Sequence, residues 1–122
     1  MKILVVDDSR IMRNVLKNIL KEKNIGEEAI VEASNGVEAL QILKKEKINL
    51  VLLDWNMPKL NGIELVKIVR AEESLKDIPI IMVTSEAAKY NVMEAIKAGV
   101  TDYIIKPIQG VVVHKKLEEF LK

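Results

Sequence analysis

Leu50-Val51-Leu52-Leu53-Asp54 is an apolar run closed by a carboxylate, and two other stretches share its design. Ile3-Leu4-Val5-Val6 runs into Asp7-Asp8, and Tyr103-Ile104-Ile105 runs into Lys106-Pro107. Continuous apolar runs of this kind fit strands of a parallel sheet that is covered on both faces. In such a sheet every strand's carboxyl end lies on one edge, where open α/β proteins bind ligands. The pattern predicts three carboxylates and one ammonium in a single crevice. Crowded carboxylates repel one another, so a hard divalent cation is their natural neutraliser.

Working outward, apolar runs alternate with amphipathic stretches along the whole chain. Strands are expected at 2–6, 28–32, 49–53, 79–83 and 101–105. A first helix over about 9–23 carries Ile11, Met12, Val15, Leu16, Ile19 and Leu20 on one face, with Ser9 as N-cap. Further helices are expected over about 36–46 (Val37, Leu40, Leu43), 62–73 (Ile63, Val66, Val69) and 86–98, the last ending at Gly99. A fifth starts near Gly110 and carries Leu117, Phe120 and Leu121. The connections are short and hold no linker, repeat or low-complexity segment. The expectation is a doubly wound (βα)₅ α/β fold, with residues 1–122 forming one domain and no output domain attached.

Composition excludes several classes. The 122 residues are 49% hydrophobic but only 3% aromatic, which predicts one aliphatic core. Net charge is +1 and evenly spread, with 10 basic and 9 acidic side chains in residues 1–61 and 9 of each in 62–122. No basic face argues for nucleic acid. Cysteine is absent, which removes disulfides and thiolate metal sites. No apolar run approaches the roughly 20 residues of a membrane span. The first strand begins at Lys2, leaving no room for a signal peptide, so a cytoplasmic protein is expected.

The crevice residues suggest chemistry. A carboxylate such as Asp54, held beside a cation, can attack a phosphoryl group and form an acyl phosphate. Asp7 and Asp8 lie where the chain turns, so one or both can face the crevice; an acid pair favouring a helix N-terminus is the simpler role. Magnesium needs few carboxylates and accepts a phosphate partner, which suits this set. Lys106 is held extended or in a turn by Pro107, whose peptide bond could be cis. Its ammonium can pair with a carboxylate or an added phosphoryl group. Thr84 either donates to a phosphoryl oxygen or caps the fourth helix, a role Ser85 could also fill. His114, the only histidine, reads as a solvent-facing helix residue, and Trp55 as a residue at the rim of the site.

The paired acids after the first strand, Asp54 with Met57-Pro58 and Asn61-Gly62, Thr84, Tyr103 and Lys106-Pro107 together resemble the receiver domain of bacterial two-component response regulators. Order and spacing agree over the whole chain, and within the family it looks most like the stand-alone chemotaxis regulators. The resemblance implies a flavodoxin-like fold with strand order 2-1-3-4-5. It implies Asp54 as phosphoacceptor from a sensor histidine kinase. It implies Mg²⁺ held by Asp8, Asp54 and the Asn56 backbone carbonyl, with Asp7 helping through water. Lys106 and Thr84 would bind the acyl phosphate, and Tyr103 would be the switch aromatic. Asn56 and Glu86 would set the phosphoryl lifetime. Val92, Tyr103 and Lys116 would face the output partner, the flagellar motor switch. It also implies a monomer that has no enzymatic turnover beyond its own phosphorylation and dephosphorylation, and a phosphatase as a further partner. The chain departs from the pattern at Ile108, often Phe in the family, and at Gln109-Gly110-Val111-Val112-Val113, a weak helix start.

Other readings compete. A stand-alone phosphorelay receiver would share every site residue. A haloacid-dehalogenase-type phosphatase would place a second aspartate two residues after the first as general acid, where this chain has Asn56. A flavin module would need a Ser-, Thr- or Gly-rich phosphate loop, whereas Asp7-Asp8-Ser9 would repel phosphate.

Overall fold

The computed structural model describes residues 1–55, 57, 59–85 and 89–120, with backbone alone for 89–91. Five strands form one parallel sheet: β1 (Ile3–Val6), β2 (Ile30–Ala33), β3 (Leu50–Asp54), β4 (Ile80–Thr84) and β5 (Asp102–Ile105). Helices α1 (Arg10–Lys21), α2 (Gly36–Lys45), α3 (Gly62–Ala71), α4 (Lys89–Ala98) and α5 (Gly110–Phe120) alternate with them. The strand order is β2-β1-β3-β4-β5, the flavodoxin-like order.

The pleat explains the layers. Alternate strand residues point to opposite faces. Leu4, Val6, Val51, Leu53, Ile80 and Met82 meet Ala39 and Leu43 of α2, Val66 and Val69 of α3 and Ala95 of α4. Ile3, Val5, Leu50, Leu52, Ile81, Val83 and Ile104 meet Leu16 and Leu20 of α1 and Val113 and Leu117 of α5. β1, β3 and β4 are buried along their whole length, which is why they read as unbroken apolar runs.

Helix ends follow their caps. The Ser9 hydroxyl accepts the Met12 N–H at 3.2 Å, as the N-cap reading required. Asn61 and Glu64 form a reciprocal capping box at α3. Gly99 closes α4 with φ +110, a conformation that favours glycine.

Several expectations are corrected. Ile11 and Val15 of α1 are exposed. Leu16, Ile19 and Leu20 define the sheet-facing stripe, and at 3.6 residues per turn Ile11 and Val15 lie roughly 100° or more around the helix from its centre. Val37 is likewise exposed on α2. β2 begins at Ile30 rather than 28, because Glu27–Ala29 form a 3₁₀ turn closed by the Ala29 N–H on the Gly26 carbonyl. α3 ends at Ala71. His114 is half-buried and not solvent-facing: its Nε2 lies 3.0 Å from the Ile19 carbonyl and 3.7 Å from a Glu22 carboxylate oxygen. The packing of α5 on α1 turns that ring inward. Leu121 lies outside the described residues.

Candidate functional site at the carboxyl edge of the sheet

Register builds the site. β1 and β3 pair with Val6 level with Leu53, so the next residues, Asp7 and Asp54, leave the sheet side by side. β4 and β5 pair with Thr84 level with Ile105, which sets Lys106 one step beyond. The Lys106 N–H donates to the Thr84 carbonyl at 2.8 Å, and the Lys106-Pro107 peptide is cis. Carboxylate oxygens of Asp7, Asp8 and Asp54 lie within 4.8 Å of one another. The Lys106 ammonium reaches in from β5, 3.3 Å from Asp54 Oδ1 and 3.8 Å from Asp7 Oδ2.

Asp7 is 2% exposed and Asp54 7%, while Asp8 is open to solvent. Burial pushes the Asp54 carboxyl above the ordinary range; Lys106 pulls it back, and Asp8 raises it again. Burial also raises Asp7, against the hydrogen bond from the Ser9 N–H and with a further push from Asp54. One Asp7 oxygen is thus satisfied, while the buried Oδ2 accepts no hydrogen bond among the described residues. A buried orphan acceptor facing two more carboxylates is the kind of exception that calls for an ion or a ligand. Three hard oxygen donors of high charge density, one of them solvent-facing, fit Mg²⁺, which binds through a few carboxylates and keeps waters.

Sequence reasoning placed Asp7, Asp8, Asp54, Lys106 and Thr84 at one edge, and the structure gathers them there. Thr84 is 2% exposed at the end of β4. Trp55, directly after Asp54, is half-buried and packs against the core on the α2, α3 and α4 face of the sheet. Asn56 and Glu86 lie outside the described residues, as does Pro58. On the flank, Tyr103 is half-buried and Lys116 sits 5.8 Å from its ring centroid while pairing with Asp102 at 3.0 Å. Val92 is half-buried on α4, where Met93 and Ile96 are exposed.

Sequence reasoning quoted Gly62 only as part of a motif, without a role, and did not single out Arg13. A Cβ on Gly62 would stand 2.6 Å from the Asp54 carbonyl oxygen and 3.0 Å from Trp55 Cα, so glycine lets α3 start against the backbone of Asp54 and Trp55. Its N–H also donates to the Trp55 carbonyl at 2.9 Å. Arg13, on α1, donates from Nη1 to the Asp7 carbonyl at 2.6 Å and from Nε to Glu32 at 2.9 Å. The available signal was Glu32, a charge inside an otherwise apolar strand that needs a partner.

The sheet order, with an acid triad and Lys106 at its carboxyl edge, makes this the switch-point crevice of an open α/β protein, carrying oxygen donors suited to a cation. The chain belongs to the response regulator receiver domain family, whose model matches residues 3–118. It is 51% identical over 122 residues to the chemotaxis protein CheY homolog of Campylobacter jejuni, covering 99% of this chain and 92% of that one. It is 50% identical to chemotaxis protein CheY1 of Helicobacter pylori, covering 99% and 97%. The solved structure of Vibrio cholerae chemotaxis protein CheY4 superposes with a TM-score of 0.87 at 31% identity, covering 98% of this chain and 97% of that one. Within its family the chain is therefore a receiver of the CheY chemotaxis type, a component of two-component signalling, and CheY-like receiver domains are signalling proteins. Receiver domains bind Mg²⁺ at an acidic site, and Asp7, Asp8 and Asp54 form such a cluster here. No helix among the described residues is long and apolar enough to cross a membrane.

Proposed function

We propose that the protein is a phosphorylatable switch that takes a phosphoryl group from a phosphohistidine of a sensor kinase onto Asp54. A carboxylate oxygen of Asp54 attacks phosphorus, the P–N bond breaks, the electron pair returns to the imidazole, and an acyl phosphate remains. Asp7, Asp8 and Asp54, with the Asn56 carbonyl, are the residues that would hold Mg²⁺. When bound, that ion neutralises charge on the transferring oxygens. Lys106 and the Thr84 hydroxyl contact the phosphoryl oxygens. The observation that carries this reading is the Lys106 ammonium 3.3 Å from Asp54 Oδ1, beside three carboxylates that lie within 4.8 Å of one another.

Residues 1–122 act as one receiver domain, a cytoplasmic monomer, whose output is docking. Thr84, drawn toward the phosphoryl group, frees room for Tyr103 to turn inward. That biases a face of Val92, Tyr103 and Lys116 toward binding the flagellar motor switch. The exposed Met93 and Ile96 beside Val92 support an apolar contact there. A phosphatase is a further partner. Asn56 and Glu86 set the phosphoryl lifetime.

Intact mass after incubation with acetyl phosphate and Mg²⁺ tests the reading. One added phosphoryl group is expected, and none with Asp54→Asn. Unmodified wild-type mass, or a modified Asp54→Asn chain, would overturn it. A phosphorelay role predicts instead that the group passes on to a second histidine protein, with no phosphate-dependent binding to a motor-switch peptide.

A further inference from the structure

Asp8 is open to solvent, and the Asp7 carboxylate accepts the Ser9 N–H on Oδ1 at 2.9 Å while its Oδ2 accepts no hydrogen bond among the described residues, so the backbone between the two acids governs how the pair is spaced. The peptide between them is where a neighbouring group can control both carboxylates at once. Arg13 holds that peptide. Its Nη1 donates to the Asp7 carbonyl at 2.6 Å, while its Nε donates to Glu32 Oε1 on β2 at 2.9 Å. The guanidinium is little exposed, with 15% of its side-chain surface accessible. Glu32 is fixed in turn by Lys17 at 3.1 Å, and Lys17 and Lys21 both pair with Glu27 at 2.7 and 2.6 Å. The Asp7 N–H, in the preceding Val6-Asp7 peptide, donates to the Ala33 carbonyl at 3.1 Å, so the backbone is held on both sides of the Asp7 Cα. The fork thus joins α1 and β2 to the one carbonyl whose orientation sets where Asp8 projects.

From this geometry we infer that Arg13 is a positioning residue for cation binding, fixing the Asp7-Asp8 peptide so that the two carboxylates converge with Asp54. The inference rests on the proposal that the crevice binds Mg²⁺. Two effects of Arg13 oppose each other. As a nearby positive charge it repels a cation, so simple electrostatics predicts tighter Mg²⁺ binding when it is neutralised. As a fork it presets the ligands, so its loss weakens binding, and groups that orient metal ligands are worth about 10–100-fold in affinity. The planar fork serves two acceptors at fixed separation; a lysine ammonium retains the charge but not that geometry.

The test is a Mg²⁺ titration at fixed ionic strength, followed by Trp55 emission and by calorimetry, on wild type, Arg13→Met and Arg13→Lys. Positioning predicts that Arg13→Met weakens Mg²⁺ binding about tenfold, that Arg13→Lys also weakens it, and that the phosphorylation rate at saturating Mg²⁺ stays near wild type. Tighter binding in Arg13→Met, or wild-type affinity in Arg13→Lys, would overturn the inference while leaving the metal site itself intact. Absence of any Mg²⁺ response in wild type would instead remove the crevice reading on which it stands. Apo melting temperatures are recorded alongside; if Arg13→Met does not fold, Arg13→Lys, which keeps the charge, decides.

Discussion

The two edges of the sheet treat charge in opposite ways. At the carboxyl edge three carboxylates cluster, Lys106 pairs with two of them, and a buried Asp7 oxygen is left without a hydrogen bond among the described residues. At the amino edge one arginine serves several neutral acceptors. Arg70 donates from Nε to the Gly99 carbonyl at 2.8 Å and from Nη1 to the Lys76 and Ile78 carbonyls at 2.8 and 2.7 Å, and Nη2 reaches Thr101 Oγ1 at 3.3 Å. That guanidinium ties the end of α3 to the turns that enter β4 and β5. The difference separates structure from function: where polar groups are matched an edge holds the fold, and where they are left under-satisfied it awaits a ligand.

The comparison can be broken first at the amino edge. Arg70→Met removes charge-assisted bonds from several carbonyls, each worth about 1.5–3 kcal/mol though not additive. Chemical denaturation should show a loss of roughly 2–4 kcal/mol, with Mg²⁺ affinity unchanged. A large change in Mg²⁺ binding would show that the edges are coupled.

The carboxyl edge should respond with the opposite sign. Asp7→Asn neutralises a buried, under-satisfied carboxylate, so in Mg²⁺-free buffer near neutral pH it should stabilise the fold by about 1–2 kcal/mol. It should also weaken Mg²⁺ binding. Destabilisation in the absence of the ion would mean that this edge is built for stability after all.

The pH dependence sharpens the same point. The folded-state values of Asp7 and Asp54 are raised above the ordinary Asp value of about 3.9. The native chain then binds protons more tightly than the unfolded one, so without Mg²⁺ stability should fall as pH rises from about 4 through the raised values. Melting curves of Asp7→Asn over that window should slope less steeply than wild type. The ion pairs on α1 act in reverse: Glu27, held by Lys17 and Lys21, is lowered from 4.5 to about 2, and its contribution is lost as pH falls through that range.

The smallest expected effect concerns Lys106. With 22% of its side chain exposed, its ion pairs are partly screened, so Lys106→Met should shift stability by under about 1 kcal/mol. It should leave Asp54 able to accept a phosphoryl group yet abolish phosphate-dependent binding to a motor-switch peptide. A variant that still bound the peptide on phosphorylation would place the sensing of the phosphoryl group elsewhere.

Much of the site was legible because it lies at strand ends, where a run of apolar residues changes abruptly to charge. Asp7, Asp54 and Lys106 announce themselves that way, and parallel pairing then brings them together. Arg13 gave no such signal, since on a helix it is one basic residue among several and only the fold shows which carbonyl it meets. Gly62 was quoted in a motif, but its steric reason depends on a backbone approach that sequence does not encode. On α1 the apolar arc was wider than the face that packs, so Ile11 and Val15 were placed on one face with Leu16, Ile19 and Leu20 although they are exposed. The inward turn of His114 likewise depends on how two helices cross.

Because Asp7 and Asp54 become neighbours only when β1 and β3 pair with Val6 beside Leu53, the site is also a reporter of completed folding. Side chains alternate along a strand, so a slip of one residue would send one of the two acids to the opposite face. The chain between β1 and β3 includes all of β2 and α2, so this adjacency is a long-range contact that no local segment can form early. A partly synthesised or misregistered chain therefore has no assembled acid cluster. On the proposed function, only molecules that have finished folding could be phosphorylated, so the register of two strands would also act as a filter on the signal.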